Sequence, residues 1–322
     1  MKTLVRLANA GVVTLAAAAM LTGTAARAAQ LSGDARGAIP RDVQQLIVVD
    51  YRAMQNSSAA LSLKDRVLPP ELKRLETALK QSGLKVDRDT DTLAFAAYRV
   101  PGAENQTRTL GIAQGQFQTA SILASFAKQK TKPTAIRNNQ VYPMGAAGYS
   151  VVFLNQTTML FGDAAAVRAG LDARDGLAGS FASNGDMMNE MASVDQKNLW
   201  SLLDQKGTQT MMRGVLGEAA SLTDYDTVKN RMRSSRYTLD FQNGVKFNMA
   251  VVMSDTVTAA TAATLMKGMV LLKEAQGSPV EKATMSETDI DSSAGTLQVS
   301  YAASEGQFSN LLSSPLFTQV VR

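Results

Sequence analysis

The chain has 322 residues, 45% hydrophobic, 19% charged and 6% aromatic, with a formal charge of +5 and neither cysteine nor histidine. Without Cys there is no disulfide, thiolate nucleophile, iron–sulfur cluster or Cys-ligated zinc. Without His there is no Ser-His-Asp triad, no HExxH zinc site, no proximal haem histidine and no imidazole proton shuttle, so the composition leans away from catalysis.

Lys2 and Arg6 precede an apolar run from Leu7 to Leu21, and Ala26-Arg27-Ala28 follows it. A basic start, a short apolar core and small residues before the cut make a secretory signal peptide, with cleavage expected between Ala28 and Ala29. The run is shorter than the roughly 20 apolar residues of a membrane-spanning helix, and no later segment is a candidate span. The expected location is therefore periplasmic or secreted. The leader takes Lys2, Arg6 and Arg27 with it and no acid, so +5 becomes +2 over the remaining 294 residues. A nearly neutral chain without a basic stripe is not expected to bind nucleic acid.

Beyond the leader, residues 29–39 are small and polar and read as a flexible entry. Residues 46–51 (Leu-Ile-Val-Val-Asp-Tyr) read as a strand. A helix over 57–83 is interrupted at Pro69-Pro70; Leu72, Leu75, Ala78 and Leu79 have helical spacing, and Gly83 stands where a C′ glycine belongs. Strands are expected over 92–100 and 109–116, then an amphipathic helix over 119–130 with Ile122, Leu123, Phe126 and Ala127 on one side. Short strands over 134–137 and 141–144 precede a hairpin of 149–154 with 158–161. Asp163 caps a helix that reaches 173 and buries Val167 and Leu171.

The pattern then restarts. A short helix over 187–193 precedes a strand over 198–203 and a helix over 208–220. Strands over 235–241 and 245–253 flank Asn243-Gly244, the strongest short hairpin signal. A long helix over 256–273, capped by Asp255 or Thr256, ends near Gly277-Ser278-Pro279. A hairpin of 284–291 with 296–301 turns at Ser293-Ala294-Gly295, and a last helix over 304–313 turns Phe308 and Leu312 inward. The fold class is therefore α+β, two tandem β-α-β-β-α-β-β-α repeats with mainly antiparallel sheets packed on helices. The expected divisions are 1–28, 29–194 and 195–322. Val167 and Leu171 match Phe308 and Leu312 at a constant offset of 141 positions.

Three strings carry a family resemblance: Phe161-Gly162-Asp163-Ala164-Ala165-Ala166-Val167-Arg168-Ala169-Gly170-Leu171-Asp172-Ala173, Val86-Asp87-Arg88-Asp89-Thr90-Asp91-Thr92-Leu93 and Leu110-Gly111-Ile112-Ala113-Gln114-Gly115-Gln116-Phe117. In these the chain resembles a loose group of exported, uncharacterised bacterial proteins built of repeated β-β-α units. The strings are structural junctions, so the resemblance implies fold and export and no activity.

Candidate chemistry is sparse. Ser125-Phe126-Ala127-Lys128 has the S-x-x-K form of penicillin-recognising enzymes, but K-T-G is missing and Ser254-Asp255-Thr256 only approaches S-D-N. Asp87-Arg88-Asp89-Thr90-Asp91 opens like a calcium loop, yet Thr92 and Tyr98 stand where glycine and glutamate are needed. Asp224/Asp226 and Asp289/Asp291 are further acid pairs, the latter on one face of a strand expected to be wet. Among 16 methionines, Met188/Met191 and Met266/Met269 form M-x-x-M pairs. Thioethers can hold Cu(I), but at this spacing the simpler reading is core filling. No catalytic, cofactor-binding or metal-binding residue is assigned. The function expected is a non-catalytic binding or structural module of the cell envelope, its partner an envelope protein or an apolar ligand. The alternative is a carrier of an apolar small molecule or lipid, and the third reading is a His-independent hydrolase.

Overall fold

The computed structural model describes residues 29–67, 70–144, 148–216 and 225–314. The expected leader and the Ala28 side of its cut lie outside the described residues. In chain order, a short helix α1 (Gly33–Ala38) precedes β1 (Val43–Asp50), α2 (Ser58–Val67), α3 (Pro70–Gln81) and the one-turn α4 (Val86–Asp89). The hairpin β2 (Thr90–Val100) and β3 (Ala103–Gly115) leads to α5 (Thr119–Lys128). Four strands follow, β4 (Thr134–Ile136), β5 (Asn139–Met144), β6 (Tyr149–Phe153) and β7 (Thr158–Asp163), then α6 (Ala164–Arg174) and α7 (Gly185–Ala192). Next come β8 (Leu199–Leu203), α8 (Gln205–Leu216) and α9 (Tyr225–Lys229), and the hairpin β9 (Met232–Asp240) with β10 (Val245–Met253). The chain continues with α10 (Thr256–Gln276), α11 (Pro279–Ser286), the hairpin β11 (Thr288–Ser293) with β12 (Thr296–Ala303), and α12 (Glu305–Leu312).

The twelve strands join in one sheet ordered β11-β12-β10-β9-β8-β1-β2-β3-β7-β6-β5-β4. Every neighbouring pair is antiparallel. β1 sits at the seam, with Leu46 opposite Ala96 of β2 on one side and Leu202 of β8 on the other. Outward from this seam both halves add strands in the same order: β2, β3, β7, β6 on one side and β9, β10, β12, β11 on the other. β5 and β4 extend the first half only.

Side chains alternate across a pleated strand, so the sheet carries two cores. On one face Ile47, Val49, Phe95, Leu239, Val251 and Val299 meet α2, α3, α5 and α8 to α12. On the other, Leu46, Val48, Ala96, Ile112 and Trp200 meet α1, α6, α7 and Phe181. The expected dry faces of Tyr237/Leu239/Phe241 and Leu297/Val299/Tyr301 lie in the first core, and Asp289 and Asp291 flank buried Ile290 on the wet side of β11. Asn243 (φ 58) and Gly244 (φ 100) both hold the left-handed backbone of a type I′ turn. Among the described residues no helix is long and apolar enough to cross a membrane.

Three expectations are corrected. The entry is not flexible: Ser32 caps α1, and Ala29, Ala35, Ala38 and Ile39 are fully buried. The indole N–H of Trp200, the single tryptophan, donates to the Ala29 carbonyl at 2.8 Å. Small residues look polar in a sequence but fit closely against a sheet. Residues 284–286 are not strand; they finish α11, which Pro279 starts and a Ser278–Glu281 capping box holds. The matched pairs at offset 141 pack on opposite faces, Val167 and Leu171 in one core and Phe308 and Leu312 in the other. The last four residues expected in α8, 217–220, lie outside the described residues.

A Cβ on Gly115 would stand 1.9 Å from the Asp89 carbonyl oxygen, and backbone cannot yield that far. Gly115→Ala is expected to cost about 2–3 kcal/mol, read as a lower urea midpoint; an unchanged midpoint would contradict the contact. At the start of α10, the amide of Thr258, then the hydroxyls of Ser254 and Thr258 and the Arg231 guanidinium, hold the Asp255 carboxyl down to about 2. A depressed carboxyl stabilises the fold above its ordinary value of 3.8 and loses that effect as pH falls through about 2. Asp255→Asn keeps the cap without the titration. Its stability deficit should therefore be present at pH 5 and shrink towards pH 2 in denaturant titrations; a constant deficit would oppose this.

Candidate functional site

The residues singled out in the sequence do not converge. Ser125 and Lys128 lie on α5 with no hydrogen bond between them among the described residues; Gln129 Nε2 meets the Ser125 hydroxyl at 3.4 Å. Asp87, Asp89 and Asp91 pair with Lys80, Arg88 and Arg52 respectively. No group of three or more acidic side chains among the described residues is arranged to hold a metal ion. Asp224 lies outside the described residues, and Asp226 is exposed beside Lys229. The methionine pairs are split by the sheet: Met191 is buried in one core with Met188 against it, and Met266 in the other with Met269 against it.

A pocket forms that takes Val86, Thr90, Leu93, Ala113 and Phe161 from the three junction strings and nothing from the S-x-x-K or methionine pairs. In β3, Leu110 and Ile112 turn to the second core, which leaves Gly111, Ala113 and Gly115 facing α3. That stretch therefore offers nothing larger than a methyl group on this face. Phe161 of β7 uses part of the space, for a Cβ on Gly111 would be 2.1 Å from its ring. Phe161 in turn meets Phe95 edge to face, ring centroids 5.8 Å apart. Above, α3 lowers Leu72, Leu75 and Leu79 from positions one and two turns apart. Three leucines cannot reach a floor of glycine and alanine, and a cavity of about 70 Å³ remains between them. Met159 and Leu93 close the sheet side, and Leu84 and Val86 the end below Gly83. Gly83 (φ 91) ends α3 and turns the chain down to these two residues.

The lining is polar in few places. Tyr51 follows β1, Lys64 comes from α2 and Glu76 from α3, with Thr90 at the start of β2. Lys64 Nζ lies 3.4 Å from Glu76 and 6.0 Å from the centre of the Tyr51 ring, with its side chain only 11% exposed. Glu76 is held more closely by Lys80, at 2.8 Å, and Lys80 also reaches Asp87 at 3.3 Å. Burial pushes the Glu76 carboxyl up, but the Lys80 and Lys64 ammonium groups outweigh it and hold it below the ordinary range. Burial raises the Tyr51 phenol, and the nearby Glu76 and Asp87 carboxylates raise it further, so it stays a neutral donor. Thr90 belongs to the Asp87–Asp91 run, whereas Tyr51, Lys64 and Glu76 stand in no motif of the sequence. The available signal was the alternation Gly111-x-Ala113-x-Gly115 inside a strand, where small residues mark a close approach or a gap.

No protein-family model matches the chain, and no curated protein matches it in sequence. Three solved crystal forms of TP0453 align with it. Form I shares 8% identity over 86% of this chain and 96% of that one, at a TM-score of 0.48. Form III shares 9% over 86% and 97%, at 0.49, and form IV 9% over 87% and 96%, at 0.48. Likeness at this level says nothing of what the chain binds.

Proposed function

We propose that the chain is an exported, non-catalytic binding protein that holds an apolar ligand between α3 and the sheet. The observation that carries this is the hollow floor of β3. A folded interior is normally packed to crystal-like density, and here glycine and alanine stand under three leucines beside a single edge of polar groups. The leader ending at Ala28 and the resemblance to exported bacterial proteins support a periplasmic or secreted setting. The matching strand order outward from β1 and β8 supports duplication of one unit, with 29–194 and 195–322 as its copies.

A second reading, contact with an envelope protein, rests on α10. Its outer side exposes Val257 (74%), Leu271 (65%) and Leu272 (47%), more apolar surface than a solvated helix needs. Native mass spectrometry of protein purified from its own host separates the two. The proposal expects a small dissociable apolar adduct, and expects Ala113→Leu to remove it by filling the cavity while thermal stability holds or rises. A bare-mass peak, an adduct that survives Ala113→Leu, or a co-purified protein in its place would contradict it.

A further inference from the structure

The sheet has two ends, and they are not alike. β4 closes one end with three residues behind Pro133, an edge blunted by its length and by proline. β11 closes the other with six residues and no proline, and no described strand lies beyond it. Ser293 pairs with Thr296 across a turn in which Ala294 (φ 49) and Gly295 (φ 78) are both left-handed, so this pair closes a two-residue hairpin. Hydrogen-bonded and non-bonded pairs alternate from there. Asp289, Asp291 and Ser293 therefore spend their backbone groups on β12, while the N–H and C=O of Ile290 and Ser292 point to the open edge.

The side chains divide the same strand by face. Ile290 is buried in the core under α10. Asp289 and Asp291 stand exposed on the other face and make no ion pair among the described residues. Glu287 precedes them, and residues 283–314 contain neither Lys nor Arg. Pairing β11 with β11 of a second copy would set these acids opposite one another, which opposes it. The same charge favours a strand that carries bases at those positions. α10, which packs over β11, exposes Val257, Leu271 and Leu272 on its outer side. A strand added about 4.8 Å beyond β11 would bring its inward side chains alongside that helix.

We propose that β11 is a docking edge for an extended segment of a partner protein in which basic and apolar residues alternate, added as one more antiparallel strand. This edge lies apart from the pocket under α3 and does not depend on it. The probe is an octapeptide of alternating lysine and valine. It is compared with the same peptide carrying glutamate for lysine, and with a lysine peptide N-methylated on the amides that would face β11. In fluorescence anisotropy the lysine peptide is expected to bind at least about tenfold more tightly than either. Amide exchange is expected to slow at Ile290 and Ser292 and to stay unchanged at Asp289 and Asp291, whose amides already face β12. Asp289→Lys with Asp291→Lys, on exposed positions, is expected to reverse the preference between the lysine and glutamate peptides. The exchange measurement needs no variant and stands if that one does not fold. No binding of the lysine peptide, equal binding of its N-methylated form, a lysine preference that survives the double substitution, or unprotected Ile290 and Ser292 amides at saturation overturns the docking edge. Each of these outcomes leaves the pocket untouched.

Discussion

Strand β1 is the constraint on which the fold hangs. It is bonded on both edges, to β2 and to β8, and it is buried on both faces, Ile47 and Val49 on one side and Leu46 and Val48 on the other. A strand with two dry faces must be covered twice. On one face α2, α3 and α8 provide the cover; on the other the chain uses its own beginning, with Ala29 tied to Trp200 and α1 laid beside it. Pairing β1 with β8 joins residues far apart in the chain, so loop-closure entropy must be met before the sheet is whole. Once met, the two halves share one sheet instead of forming two lobes.

The same sheet explains why the cavity lies where it does. In the second half the 21-residue α10 fills the equivalent layer with Ala259, Ala262, Ala263, Met266 and Val270. In the first half that layer is divided between α2, α3 and α5 around a floor strand of glycine and alanine. The leucines of α3 and the small residues of β3 leave about 70 Å³ between them, and the side chains lining that space lack packing partners there. A ligand that fills the space recovers the lost contacts and stabilises the folded state by mass action. The gap is thus a local weakness that becomes a source of affinity when occupied.

Much of the architecture was legible because period and turn chemistry agree locally. The Asn243-Gly244 turn, the Asp163 cap and the alternation of Leu297, Val299 and Tyr301 each act within a few residues. What escaped detection was long-range or negative. Ala29 becomes buried only because Trp200 lies across from it. The equal spacing of Val167/Leu171 and Phe308/Leu312 hides that their helices leave the sheet on opposite sides. The site escaped for a related reason: a cavity is defined by what is missing. Lys64 and Glu76 resemble any exposed helical pair until Tyr51 and the leucines of α3 close around them.

The claim that the hollow under α3 is the binding site is tested most directly by methyl NMR of the protein titrated with an alkyl ligand. The account predicts shifts confined to the methyl groups of Leu72, Leu75, Leu79, Ala113 and Met159. Shifts centred on Leu271 and Leu272 of α10, with the α3 methyls unmoved, would contradict it.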